Sequence, residues 1–267
     1  MAPGAVTPRL GLRIAGLGFS FGPDEEGIVS SLRRRYGAFS RPVGACREFE
    51  VSSVQRRDLP FRPAVALAGT TLTLKRGDFR AGLDLRTGKG RLAAASDAQC
   101  LDAFLRSLLS SLLLRSGGLM LHSAGLLKNG RAYVFLGKSG AGKSTLARLA
   151  AAAGGAEVIS DEINLLRPGK RGWAVHGSPF WGEMRADGRP GAWPLGGVYI
   201  LAKARSHSLH SCGGGEALKL LLRCLVNFEK GGEAASLALS NACGLLEAAR
   251  PKRLEFAKRD AAFLELI

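Results

Sequence analysis

From Pro3 to about Ala95 the chain sets short apolar runs between Gly, Pro and Asp, a pattern that predicts strands and tight turns rather than long helices. Val65-Ala66-Leu67, Thr71-Leu72-Thr73-Leu74 and Ala81-Gly82-Leu83-Asp84-Leu85 read as strands, the last closed by a Thr87-Gly88-Lys89-Gly90 turn. One helix is expected from near Asp24 to Tyr36, with acids at its start and arginines at its end, as the helix dipole favours. Gly16-Leu17-Gly18 lacks the third glycine of a dinucleotide fingerprint and reads as a strand-end turn.

The period changes at Ser96. Ser96-Asp97 offers a helix cap, and Leu101, Phe104, Leu105, Leu108, Leu109, Leu112 and Leu113 then recur on one face at the 3.6-residue period of a packing helix. Ser116-Gly117-Gly118 ends it, and Leu119 to Ala124 reads as a buried strand with a polar tip at His122. Lys128-Asn129-Gly130 is a tight turn into the apolar run Tyr133 to Leu136. A helix follows up to Gly154-Gly155, and Ala156 to Ser160 forms the strand that delivers Asp161-Glu162 at its carboxyl end. Further on, Ala217, Leu220, Leu221, Cys224, Leu225 and Phe228 make one apolar face of a helix from Glu216 to Phe228. The change of pattern divides the chain into an N-terminal α+β domain, 1–95, and a second domain, 96–267.

Composition narrows the classes. With 267 residues and 46% hydrophobic content the chain can build a substantial core. No apolar stretch approaches the roughly 18 to 20 residues of a membrane span, and Met1 to Leu10 lacks the design of a signal peptide, so the expected location is the cytoplasm. The five cysteines, Cys46, Cys100, Cys212, Cys224 and Cys243, are odd in number and without a C-x-x-C pair, which predicts reduced thiols. His207, His210 and Cys212 lie close together, but the Ser and Gly around them read as a solvated loop and no fourth metal ligand is evident. The net charge of +16 invites a nucleic-acid reading. The arginines are dispersed, with small clusters at Arg33-Arg34-Arg35 and Arg56-Arg57, and no aromatics interleave them to stack on bases, so an acidic protein or anionic ligand explains the charge equally well. Trp173, Trp181 and Trp193 flank proline and glycine turns and read as packing residues or pocket walls rather than a base-stacking platform.

Gly137-Lys138-Ser139-Gly140-Ala141-Gly142-Lys143-Ser144-Thr145 is a complete G-x-x-x-x-G-K-[ST] phosphate-binding loop between a strand and a helix. Its glycines let backbone N–H groups turn inward around a phosphate, and the following helix aims its positive end at the same charge. Lys143 is placed for the β- and γ-phosphates, and the Ser144 hydroxyl for a Mg²⁺ shell. Asp161 and Glu162 come after only one more helix and one strand, an interval that suits a compact kinase. One carboxylate can serve Mg²⁺ while the other accepts a proton from an attacking hydroxyl.

The order of histidine strand (Leu121-His122-Ser123-Ala124-Gly125), phosphate loop and paired acids (Ile159-Ser160-Asp161-Glu162) resembles the HPr kinase/phosphorylase family, specifically its shorter HPr-kinase-like relatives. The resemblance covers about Ala98 to Leu201. It implies an α/β fold akin to phosphoenolpyruvate carboxykinase, a P-loop kinase domain preceded by the smaller N-terminal domain, and phosphorylation of a serine hydroxyl on a peptide or small protein with ATP and Mg²⁺. By position, His122 corresponds to the histidine beside the catalytic acid and Asp161 to the aspartate that takes the substrate proton. Glu162 stands where the family has a second, metal-associated aspartate, one methylene longer here. Gly177 to Arg185 falls about where the family has a Glu-x-Arg element, which nominates Glu183 and Arg185.

The family's glycine- and arginine-rich C-terminal loop has no counterpart, since Arg250-Pro251-Lys252-Arg253 is only a basic turn, so phosphorylase activity is unsupported. Two rivals stay open: a P-loop kinase of a small metabolite, and a nucleotide-sensing module without catalysis. Neither an ABC-type Leu-Ser-Gly-Gly-Gln signature nor a GTPase Asn-Lys-x-Asp motif is present. The acceptor and the oligomeric state, self-association included, are left open.

Overall fold

The structure, a computed structural model, describes residues 9–23, 27–42, 44, 46–55, 62–180, 182–184 and 189–267. It is mixed α/β, with two mixed sheets in two compact units. Unit 1 comprises Met1–Leu112 and Asn227–Ala234, and unit 2 comprises Leu113–Val226 and Ala235–Ile267. The chain passes between them inside a helix, beyond the change of hydrophobic period at Ser96.

Unit 1 holds β1 (Leu10–Ile14), β2 (Leu17–Phe21), α1 (Ile28–Tyr36), β3 (Arg47–Ser53), β4 (Ala64–Ala68), β5 (Thr71–Arg76), β6 (Phe79–Asp84), β7 (Lys89–Ala94) and most of α2 (Ala98–Arg115). Among the described residues its seven strands run in the order β1-β2-β3-β7-β6-β5-β4. The alternation seen in the sequence is the burial pattern: Leu72, Leu74, Leu83 and Leu92 point to the core, with Thr73 and Arg91 on the other face. Phe21, Phe49, Phe79 and Phe104 stack or meet edge to face with ring centroids 5.2 to 6.3 Å apart. Lys89 already belongs to β7, so the turn after β6 is tighter than its glycines suggest. The expected acidic helix start at residues 24–26, and Arg56-Arg57, lie outside the described residues.

Asp97 caps α2 through its Oδ1, which accepts the Cys100 N–H at 3.0 Å. The predicted apolar face is buried, and so are Ser107, Ser110 and Ser111. A one-faced helix was expected. Those hydroxyls tolerate burial because each has an acceptor: Ala103 O, Ser107 O and the Glu229 carboxylate.

Unit 2 holds β8 (Leu119–His122), β9 (Ala124–Lys128), β10 (Arg131–Leu136), α3 (Lys143–Ala153), β11 (Glu157–Ser160), β12 (Ile163–Gly169), β13 (Gly172–His176), β14 (Ala192–Lys203), β15 (Ser208–Ser211), α4 (Gly214–Cys224), most of α5 (Gly232–Ala249) and β16 (Lys252–Phe256). The strand path is β11-β9-β10-β14-β13-β12-β8, with β16 beside β14 and β15 beside β16. β10, β14 and β16 are mutually parallel around β14, and the rest pair antiparallel. Val134, Leu136, Val198 and Ile200 form part of one apolar cluster with Leu220 and Leu221 of α4, while Phe135, Leu146, Leu254 and Phe256 belong to a second. Burying each such side chain contributes about 1.5 to 3 kcal/mol, which fixes β10 and α3 as the rigid supports of the loop between them.

Three stretches differ from expectation. Ser208 to Ser211 pairs with Glu255 to Lys252 as a strand rather than forming a loop, and Lys252-Arg253 lies in β16 rather than in a basic turn. α4 ends at Cys224, where Leu225 turns to extended backbone and bridges Leu121. Among the described residues no helix is long and apolar enough to cross a membrane.

Candidate functional site

The loop Gly137–Thr145 leaves the carboxyl end of β10 and opens α3. Gly142 takes φ +108°, a conformation that L side chains rarely adopt, and a Cβ there would stand 2.8 Å from Lys258 Cε. No side chain caps α3, so its first N–H groups face the loop's concavity with their positive partial charge uncovered. Lys143 is buried and donates to Gly137 O at 2.9 Å and to Lys138 O at 3.4 Å. Burial lowers its pKa, since the ammonium has lost water without gaining an anion. Cys224 shares the Gly137 carbonyl at 3.8 Å, and burial pushes its thiol pKa up.

A cavity of about 270 Å³ lies against this loop. Ser139, Gly140, Gly142, Lys143, Ser144 and Thr145 line it from the loop and helix start, and His122, Arg148, Glu183 and Lys258 wall it. Arg148 reaches back to Ser144 O at 3.3 Å and pairs with Glu183 at 3.2 Å. Three cations thus meet one carboxylate beside an open helix N-terminus, a field suited to a polyanion.

His122 and the acidic pair come together through one continuous ribbon. β8 and β9 run antiparallel to β12 and β11, and both strands break at the same level: Ser123 on one, Asp161-Glu162 on the other. His122 pairs with Ile163 across the break, and the Ser123 N–H donates to Glu162 O at 2.9 Å. Ser160 Oγ accepts the N–H groups of Glu162 and Ile163 at 3.2 and 3.0 Å, which turns the chain there. Buried Asn164 fixes the opposite strand by donating to Ser123 O and Oγ at 2.8 and 3.0 Å.

Asp161 is buried, and its Oδ2 accepts the Met184 N–H at 3.1 Å. Gly182 makes this possible, because a methyl group at its α-carbon would overlap the carboxylate. The turn that holds Asp161 is therefore the one that presents Glu183 to the cavity beside the loop. Of the residues singled out by sequence, His122, Ser139, Gly140, Gly142, Lys143, Ser144, Thr145 and Glu183 share that cavity. Gly137, Lys138, Ala141, Asp161 and Glu162 do not line it, and Arg185, like Trp181, lies outside the described residues.

Arg148 and Lys258 were not anticipated. Arg148 stands four residues after Ser144 on α3, so its side of the helix is legible from spacing. Lys258 follows β16 and carries no local signal.

No group of three or more His, Cys, Asp or Glu converges on a common point among the described residues. His207 accepts the Ala257 N–H at Nδ1 and holds Asp260 from Nε2 at 2.7 Å, His210 meets Ser208 and Glu255, and Cys212 lies beside Glu216, so the three face different partners. A Mg²⁺ ion of the phosphate-bound type needs only one or two protein oxygens besides phosphate and water, and the Ser144 hydroxyl and the Glu183 carboxylate on the cavity wall suit that role. Searches against known protein families and against curated proteins return no match for this chain.

Proposed function

We propose that unit 2 is an ATP- and Mg²⁺-dependent kinase domain, akin to the HPr kinase/phosphorylase family and to phosphoenolpyruvate carboxykinase, which phosphorylates a hydroxyl of a peptide or small protein in the cytoplasm. The observation that carries this reading is the cavity in which Lys143, Ser144, Arg148 and Lys258 surround an uncapped helix N-terminus, with His122 and Glu183 on its wall.

The loop amides and Lys143 hold the triphosphate, whose oxygens replace the Gly137 and Lys138 carbonyls as partners of the Lys143 ammonium. Arg148 and Lys258 add charge that offsets the build-up on the transferred group, the main task in phosphoryl transfer. Ser144 and an acidic side chain, Glu162 by family position or Glu183 by its place in the cavity, would hold Mg²⁺, which would supply positive charge to offset that of the phosphates. Asp161, oriented by the Met184 amide and by Gly182, takes the proton of the acceptor hydroxyl as its oxygen bonds to the γ-phosphorus and the bond to the β-phosphate oxygen breaks, releasing ADP. His122, one strand away, steadies the acidic turn.

Incubation with γ-labelled ATP and candidate acceptors tests the reading. Asp161→Asn is expected to cut label transfer about 10²- to 10⁴-fold while leaving nucleotide affinity within about twofold. A specific observation favours a second reading, a nucleotide-sensing module: neither Asp161 nor Glu162 lines the phosphate cavity. Transfer that survives Asp161→Asn unchanged decides for that alternative or for another base.

A further inference from the structure

A second and larger cavity, of about 640 Å³, opens on the other flank of the phosphate loop. It shares only Ser139 and Gly140 with the smaller one. Lys143, Ser144 and Thr145, the residues by which such a loop grips a triphosphate, all face the smaller cavity and none faces this one. The larger cavity therefore lies outside the grip of the loop's lysine and hydroxyls.

Its chemistry is one-sided. Lys138, Lys203, Lys219 and Arg223 line it, four of eleven residues, against 38 Lys and Arg in 267 for the whole chain. None of these four side chains has an ion-pair partner among the described residues. The one acid on the wall, Glu216, is already neutralised by Arg253, whose Nη2 lies 2.5 and 2.6 Å from its two carboxylate oxygens. Ile200, Leu201 and Leu220 supply an apolar floor. Four uncompensated cations around one concavity repel each other and concentrate anions. The lining holds no aromatic side chain on which the face of a nucleobase could stack, and its polar groups are dominated by cations, which favour carboxylates over a neutral base. The size exceeds that of a lone phosphate or carboxylate and suits a side-chain cluster of a peptide.

Resting on the phosphotransfer reading, we propose that this cavity docks an acidic acceptor, a peptide or small-protein segment that carries carboxylates and an apolar residue beside the hydroxyl to be phosphorylated. The carboxylates pair with Lys138, Lys203, Lys219 and Arg223, the apolar residue covers Leu201 and Leu220, and the shared Ser139-Gly140 edge brings the hydroxyl next to the bound phosphates.

The probe is a fluorescein-labelled peptide of glutamate, leucine and serine, with a twin carrying lysine for glutamate, added to the full-length protein and followed by fluorescence anisotropy. The acidic peptide binds and its twin does not, and affinity falls as salt rises from about 0.05 to about 0.3 M. Lys219→Glu combined with Arg223→Glu, both exposed on α4, weakens the acidic peptide at least about tenfold. The same variant holds a non-hydrolysable ATP analogue within about twofold of the unmodified protein by calorimetry, because the triphosphate sits in the other cavity. Equal binding of the two peptides, or indifference of the acidic one to the double reversal, overturns the proposal. So does an equal loss of the ATP analogue, which assigns the cavity to the nucleotide. The phosphotransfer reading fails separately: an unmodified protein that binds no ATP analogue sinks it whatever the peptides do.

Discussion

Each unit carries a charged hollow, and the two differ in balance. In unit 1 a cavity of about 450 Å³ is walled by Arg9, Lys89 and Arg91 on one side of the account and Glu48, Glu50 and Asp84 on the other. The charges cancel within the hollow, with Arg91 and Glu50 paired at 3.2 Å. The cavities of unit 2 are built against the Gly137–Thr145 loop from cations that outnumber their acids. A hollow that satisfies its own charges has no electrostatic call on a ligand, whereas one with surplus cations attracts anions.

Variants can break or sharpen this contrast, starting where the effect is largest. Lys143→Ala removes the ammonium at the centre of the smaller cavity, and titration calorimetry with an ATP analogue should show affinity reduced by at least about 100-fold, the scale expected for a charge-assisted contact to phosphate. Gly182→Ala forces the Asp161 carboxylate out of its seat. We expect phosphoryl transfer to fall about tenfold or more, with about 1 to 3 kcal/mol of stability lost to overpacking in a denaturant titration.

Acid separates the units on a finer scale. Burial, helped by the charge of Arg167, lowers the His176 pKa from 6.5 to about 4. Its unfolded form binds a proton that the folded form refuses, so this contribution is complete above pH 6.5 and is lost progressively as the pH falls towards about 4. In unit 1, burial alone would raise the Asp78 pKa, but hydrogen bonds and charge from Arg76 at 2.6 and 2.7 Å outweigh it, and the carboxyl is held below 3.8. That contribution is present above 3.8 and is lost only as the pH drops further, through the folded value. Hydrogen exchange should therefore show β12 and β13 losing protection first on acidification, and His176→Gln should remove the difference. The smallest effect belongs to the balanced hollow: Arg91→Ala should change stability by less than about 1 kcal/mol and leave nucleotide binding untouched, because the pair is exposed.

Legibility followed distance along the chain. The Asp97 cap, the Lys128-Asn129-Gly130 turn with Asn129 and Gly130 at positive φ, and the Gly154 helix stop all lie where local chemistry places them. Ser208 to Ser211 looked like a loop because nothing nearby predicts a strand; its partner lies more than forty residues on, in β16. The strand depends on that non-local pairing, and polar residues accept it once the partner is present. The acidic pair was visible as residues, but its hold on the Met184 amide and the overlap that reserves Gly182 were not.

By itself, the sequence determined the glycine-rich loop between β10 and α3, since its signature, backbone geometry and one helix end, spans nine consecutive residues. It also determined the mixed α/β class through the alternation of periods. Only the tertiary structure decided which side chains face that loop. His122, Arg148, Glu183 and Lys258 reach one cavity, and Lys203, Lys219 and Arg223 another, from strands, helices and turns spread over more than a hundred residues. Side chains so far apart in the chain meet only when sheet register and helix packing bring them together, and those depend on the sum of many weak apolar contacts rather than on any local motif.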